Sequence, residues 1–145
     1  MKLLLDTNVF LEVIFNQRQA LIARVLLNSV NHELFISNFS LHSVGVQVIR
    51  RRGGKRWRRF LEELILPGHV TVLALSSDKL RSVGDIAQRF GLDFDDAYQY
   101  VTAEENDLTL VSFDRDFDKT TRGRQTPQEI NQLTSTSNQT SQDQQ

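Results

Sequence analysis

Three consecutive leucines, Leu3-Leu4-Leu5, run straight into an aspartate, Asp6. An apolar run without alternation leaves no side for solvent, so as a strand it must be covered on both faces, the condition of a strand inside a parallel sheet. Parallel strands need long crossovers, usually helical, and the rest of the chain supplies them. Lys2–Asp6 reads as a buried strand, followed by helices over Thr7–Phe15 and Arg18–Asn31 and a second strand at Leu34–Ser37. Ser40–Arg52 reads as a helix that Gly53-Gly54 breaks. In Lys55–Leu66, Trp57, Phe60, Leu61, Leu64 and Ile65 fall at i, i+3, i+4, i+7 and i+8, which marks an amphipathic helix. Val70–Leu75 is a third strand, Ser76–Phe90 and Phe94–Asn106 are helices, and Leu108–Ser112 is a fourth strand. Alternating strands and helices predict an α/β domain in three layers, a mainly parallel central sheet flanked by helices.

At 145 residues and 16.7 kDa the chain is one domain's length. Cysteine is absent, which excludes a disulfide scaffold, a Cys-ligated metal cluster and a cysteine nucleophile. No run of 18 apolar residues occurs, and Asp6 interrupts what would be the apolar part of a signal peptide, so a soluble cytoplasmic protein is expected. From Gln125 onward the chain is mainly Gln, Thr, Ser and Asn, with Ile130 and Leu133 the only large apolar residues. That composition predicts a domain over residues 1–124 and a flexible tail over 125–145.

The 17 basic and 18 acidic residues nearly cancel, which argues against a histone-like binder. Their distribution is uneven. Between Asp93 and Asp118 lie nine acids and one base, and between Arg50 and Arg59 seven bases and no acid. Asp6 ends the first strand, and Asp114 and Asp116 follow the fourth, so all three belong to the sheet edge where ligands of parallel α/β proteins collect. Asp96 lies in the first turn of a helix whose N-terminus points to that edge. Each alone has an ordinary duty: Asp6 and Asp93 as helix caps, Asp95 and Asp96 at a helix dipole, Asp114 and Asp116 in a turn. Together they form a carboxylate cluster, which a cation must neutralise. Oxygen ligands without Cys or His select Mg²⁺ or Mn²⁺, and such a site suits phosphodiester hydrolysis. Asp118, Glu104, Glu105 and Asp107 read as solvated helix-end and loop residues. No G-x-S-x-G, Walker A or G-x-G-x-x-G motif occurs.

These residues also carry a family resemblance. Leu5-Asp6-Thr7-Asn8-Val9 resembles the opening motif of PIN-domain proteins, Gly91-Leu92-Asp93-Phe94-Asp95-Asp96-Ala97 their third, and Leu110-Val111-Ser112-Phe113-Asp114-Arg115-Asp116-Phe117 their fourth. Three short motifs in order are far more specific than one. In size the chain is similar to VapC-like toxins, the ribonuclease half of toxin–antitoxin pairs. The resemblance implies RNA cleavage at a Mg²⁺ or Mn²⁺ site, a homodimer and a cognate antitoxin. It supports Asp6, Asp96 and Asp114 as metal ligands and Asp116 as a fourth catalytic carboxylate, with Thr7, Asn8, Ser43 and Ser112 beside them to orient them by hydrogen bonds. It also contains one departure. The second motif, I-S-x-x-(S/T)-L-x-E in the family, reads Ile36-Ser37-Asn38-Phe39-Ser40-Leu41-His42-Ser43, so Ser43 stands where the glutamate is expected. A neutral hydroxyl is a poor substitute for a carboxylate on Mg²⁺. That substitution motivates the alternative: a catalytically impaired PIN-like domain that binds RNA or protein. A receiver-like domain also clusters aspartates at a strand end, but its early acidic pair and late lysine are missing.

The basic residues Arg50, Arg51, Arg52, Lys55, Arg56, Arg58 and Arg59 surround one aromatic, Trp57, which belongs to the buried stripe. They read equally as a wall that contacts RNA phosphates and as a solvated face or a dock for an acidic peptide. Val9, Phe10, Val13, Ile14 and Phe15 carry more apolar surface than one helix face buries, which is consistent with a dimer contact.

Overall fold

The computed structural model describes residues 1–144. Among them, strands β1 (Lys2–Leu5), β2 (Glu33–Ser37), β3 (Val70–Leu73) and β4 (Thr109–Val111) form one parallel sheet in the order β3-β2-β1-β4. Leu4 is paired with Phe35 of β2 on one side and Leu110 of β4 on the other, so β1 is central. The chain steps outward from β1 through β2 to β3 and then returns to place β4 on the far side of β1. The crevice between the carboxyl ends of β1 and β4 is therefore the topological switch point, where open α/β sheets hold their ligands.

Helices α1 (Thr7–Ile14), α2 (Ala20–Leu27), α3 (Asn38–Arg52), α4 (Gly54–Phe60), α5 (Leu80–Phe90), α6 (Phe94–Glu105) and α7 (Pro127–Gln142) cover the sheet. Successive side chains of a strand face opposite ways, and the three leucines of β1 show it. Leu3 and Leu5 pack with Val9 and Phe10 of α1, Val44 and Val48 of α3 and Phe60 of α4. Leu4 packs on the other face with Ala103 of α6, Leu108, Leu110 and Phe117. The three-layer α/β expectation is met.

The element boundaries shift for local reasons. β3 stops at Leu73, because the N–H of Leu75 is taken by the hydroxyl of Tyr98 at 3.2 Å. α2 stops at Leu27, and beyond it the Ser29 hydroxyl accepts from the N–H of Asn31, a local bond that competes with the helix. α3 and α4 are separate, joined at Gly53 with φ 83°, a left-handed conformation that glycine adopts freely. α4 then runs into a π-helical turn, Leu61–Ile65. Trp57 packs half-buried against the main core, over Gly45 of α3, where a Cβ would meet the indole at 3.3 Å.

The segment expected as a flexible tail is ordered differently. Gln125 pairs in parallel with Val111, its N–H donating to Leu110 O at 2.9 Å and its carbonyl accepting from Ser112 N at 3.1 Å. Residues 127–142 form α7, which packs on α2. Thr126 caps it by accepting from Glu129 N, Pro127 occupies its first turn, and Ile130 is fully buried in the main core. The composition was polar enough to hide one well-placed isoleucine. No helix among the described residues is long and apolar enough to cross a membrane.

Candidate active site

Asp6 follows β1, and its Oδ1 accepts the N–H of Thr7 at 2.9 Å, so it caps α1. It is buried, and the other donors around it come from distant segments. Ser112, just past β4, donates its hydroxyl to Oδ2 at 2.7 Å. Gln99 of α6 donates Nε2–H to Oδ1 at 3.1 Å. Asn8 donates to the Ser112 hydroxyl oxygen at 3.2 Å and lies 3.4 Å from Asp6 Oδ2, while its own Oδ1 accepts from Phe113 N at 3.3 Å. Burial pushes the Asp6 carboxyl up, the bonds from Ser112, Gln99 and Thr7 pull it down, and Asp114 nearby raises it again.

Asp96, Asp114 and Asp116 each offer a carboxylate oxygen, and these oxygens lie within 4.8 Å of one another. Local caps put them there. Asp93 caps α6 by accepting from Asp96 N at 3.0 Å, which sets Asp96 in the first turn. Asp114 accepts from Asp116 N at 2.9 Å and starts the 3₁₀ turn Arg115–Lys119. The N–H of Asp114 is itself held by Ser112 Oγ at 2.9 Å. The ordinary duties of Asp and the cluster are thus the same geometry. Half-burial pushes the Asp96 carboxyl up to about 7, reinforced by Asp93, Asp6, Asp114 and Asp116. Three carboxylates this close, one of them holding its proton to neutral pH, fit a hard divalent cation coordinated by oxygen. Asp6 does not belong to the three-oxygen group; it stands behind it, with both oxygens engaged.

The second-motif residues contribute hydroxyls. Ser37 caps α3, accepting from Ser40 N at 3.0 Å, and donates to Gln99 Oε1 at 2.6 Å. Ser40 accepts from the hydroxyl of Thr7 at 2.9 Å. Ser43 lies one turn farther along α3, half-buried. Gln99 is the residue that sequence reasoning missed. It links the ends of β1 and β2, and its one sequence signal is its place three residues after Asp96, on the same helix face.

Of the remaining acids, three form ion pairs at the surface: Glu105 with Lys79 at 3.2 Å, Asp107 with Arg122 at 3.4 Å and Asp118 with Arg124 at 3.0 Å. The basic stretch leads along α3 away from the second-motif hydroxyls and then folds back on α4, where Trp57 lies over Gly45. Arg50, Arg51 and Arg52 form the last turn of α3, and Lys55, Arg56, Arg58 and Arg59 follow on α4. Twelve residues at the helical rise put Arg52 about 18 Å from Ser40. There Arg51 and Arg52 lie over the ring of Phe15, at 4.8 and 5.2 Å. Arg59 bonds Glu63 at 2.8 Å. Arg56 has one guanidinium nitrogen buried without a hydrogen-bond partner, and burial pulls its pKa down. In α1, Val9 and Phe10 are buried, while Val13 and Ile14, with Phe15 just beyond the helix, pack against the same core and stay partly exposed.

The model of the PIN domain matches residues 3–123. No curated protein sequence matches the chain. Among solved structures, a toxin–antitoxin complex from Klebsiella pneumoniae is similar at 25% identity and a TM-score of 0.67, over 88% of this chain and 98% of that one. VapC20 of Mycobacterium tuberculosis, a toxin that cleaves the sarcin-ricin loop, is similar at 18% identity and a TM-score of 0.70, over 82% and 95%. VapBC2 of Rickettsia felis, bound to promoter DNA, is similar at 16% identity and a TM-score of 0.68, over 87% and 98%. With the family model spanning most of its length and its fold shared with these toxin–antitoxin proteins, the chain belongs to the PIN domain family.

Proposed function

We propose that this chain is a Mg²⁺- or Mn²⁺-dependent endoribonuclease, the toxin of a toxin–antitoxin pair acting in the cytoplasm. The observation that carries the reading is the meeting of Asp96, Asp114 and Asp116 within 4.8 Å at the switch point, with Asp6 behind them. Asp96, Asp114 and Asp116 would hold a divalent cation, which would supply charge neutralisation at the phosphate and a more acidic water. The chain's own part is positioning. Asp96, Asp114 and Asp116 each present an oxygen from a capped turn, and Asp6 is fixed by Ser112, Gln99 and the Thr7 N–H. The antitoxin partner is inferred from the Klebsiella complex, and a homodimer from the family. Arg50, Arg51, Arg52, Lys55, Arg56, Arg58 and Arg59 are then candidate contacts for the phosphates of the bound strand.

The test is cleavage of RNA by the purified chain in Mn²⁺, Mg²⁺ or EDTA, beside Asp96→Asn. Cleavage that needs metal and disappears in Asp96→Asn is the expected result. Cleavage that persists in EDTA overturns it.

A second reading has its own observation. Ser43 occupies the glutamate position of the second motif, which favours a binding module with little activity. Ser43→Glu separates the two. A large gain of nuclease activity over a nearly inert wild type supports the module; an already efficient wild type removes it.

A further inference from the structure

We propose that Phe94 is a stacking platform for a base of single-stranded RNA, beside the phosphate that the carboxylates address; the inference rests on the ribonuclease reading above. Phe94 opens α6, two residues before Asp96, and 54% of it is exposed. The ring is nevertheless fixed. Its centroid lies 5.6 Å from that of Phe39 in an edge-to-face arrangement and 6.0 Å from that of Tyr98, and Phe39 and Tyr98 are 5.5 Å apart. Tyr98 is pinned in turn, its hydroxyl donating to Asn38 Oδ1 at 2.8 Å and accepting from Leu75 N at 3.2 Å. An exposed aromatic ring that is already immobilised loses little freedom when a second flat surface lies on it.

Position and charge select the occupant. The ring's partners belong to the start of α3 and to α6, and Leu75 follows β3, so the three rings sit on the β2–β3 side of the carboxylate cluster along the same sheet edge. Asp93 and Asp95 flank Phe94 in sequence and are exposed. That rim repels phosphate, whereas the face of a base is neutral. A strand whose phosphate lies at the carboxylates can therefore be gripped on this side by stacking and not by ion pairing. Stacking on an aromatic side chain also tolerates any base.

The test uses the full chain in EDTA, so that no cleavage competes. The probes are a labelled pool of random-sequence RNA dodecamers and a ribose-phosphate dodecamer without bases. Phe94→Leu keeps an apolar side chain against Phe39 and Tyr98 but removes the stacking face; Phe94→Trp enlarges it. Phe94→Leu is expected to weaken binding of the RNA pool about tenfold and to leave binding of the base-free strand unchanged. Phe94→Trp is expected to bind at least as well as wild type, with the new indole quenched by RNA, while Trp57, the native tryptophan in the α3–α4 packing, is not. If the RNA pool binds wild type and Phe94→Leu equally, or the new indole is not quenched, the platform is overturned and the ribonuclease reading stands. If Phe94→Leu loses the base-free strand to the same extent, its effect is general and the platform is overturned. If neither probe binds wild type, the platform and the RNA reading fall together. The quenching of Phe94→Trp decides the matter even if Phe94→Leu folds poorly.

Discussion

Burial, reinforced by the acids around it, disfavours the charged form of Asp96, and that has a pH signature. Its carboxyl titrates at about 7 in the folded chain, against 3.8 as the ordinary value. A raised carboxyl favours folding while it is protonated; the advantage is complete below the unfolded value and is lost as pH rises through about 7. Without metal, the chain should therefore unfold at a lower temperature at pH 8 than at pH 5.5 as far as this group is concerned, and Asp96→Asn should narrow the difference. A divalent cation must displace the proton, so the stabilisation by Mn²⁺ should grow from pH 5.5 to pH 8. Thermal unfolding across that range, with Mn²⁺ and with EDTA, reads both. An Asp96→Asn chain with the same pH dependence as wild type would show that the repulsion is not felt. Gln99 carries a second prediction. Gln99→Leu leaves Asp6 and the Ser37 hydroxyl each short of a buried partner, a loss of about 1–3 kcal/mol in urea unfolding. RNA cleavage should fall with it, because Asp6 loses the bond that links it to β2.

Among elements, α7 is the one whose weight in the fold is least evident from its composition. Thr126-Pro127-Gln128-Glu129 carries the Thr-x-x-Glu spacing of a capping box with proline at the first helical position, a start signal that was present in the sequence. The polar residues after it misled, because a helix docked on the core needs few apolar anchors, and here Ile130 supplies one that is fully buried. The hydroxyls of Thr134, Ser135, Thr136 and Ser137 bond carbonyls four residues back, which satisfies them without adding to the docking. Ile130→Ala should cost about 2–4 kcal/mol, since it empties a fully buried position. Leu133→Ala, at a half-exposed position, should stay within about 0.5 kcal/mol. Equal losses in chemical denaturation would mean that α7 does not dock through Ile130. The other elements were readable because their signals are local: the unalternating Leu3–Leu5, the Gly53 break and the Gly91 stop with φ 64°.

At the scale of the molecule, the acidic cluster sits at the carboxyl edge of the sheet, while Arg50, Arg51 and Arg52 end α3, Arg52 being about 18 Å from Ser40 by helical rise. Lys55, Arg56, Arg58 and Arg59 follow on α4, which folds back against α3 through Trp57 over Gly45. On the ribonuclease reading, both groups are candidate contacts for RNA phosphates. Replacing Arg56, Arg58 and Arg59 with Ala should flatten the salt dependence of RNA binding, by about 0.7 in slope for each phosphate of the single strand that is no longer neutralised. It should leave the position of cleavage unchanged. Titration of a labelled RNA at several salt concentrations measures the slope, and an unaltered slope would assign this face to other duties.

The sequence by itself determined the parallel sheet, the strands and helices that build it up to β4, and the placing of Asp6, Asp96, Asp114 and Asp116 at helix starts, strand ends and turns. Strand ends, caps and turns are encoded within a few residues, and Asp6, Asp96, Asp114 and Asp116 each occupy one of them. Only the tertiary structure decided that oxygens of Asp96, Asp114 and Asp116 gather within 4.8 Å, that both oxygens of Asp6 are taken by Thr7, Gln99 and Ser112, that Gln99 ties two strand ends together, and that Ile130 draws a polar helix into the core. Each of these depends on which way a helix runs across the sheet and which face it turns inward. Those directions are set by packing between segments as far apart in sequence as Asp6 and Ser112, and no short stretch of chain carries them.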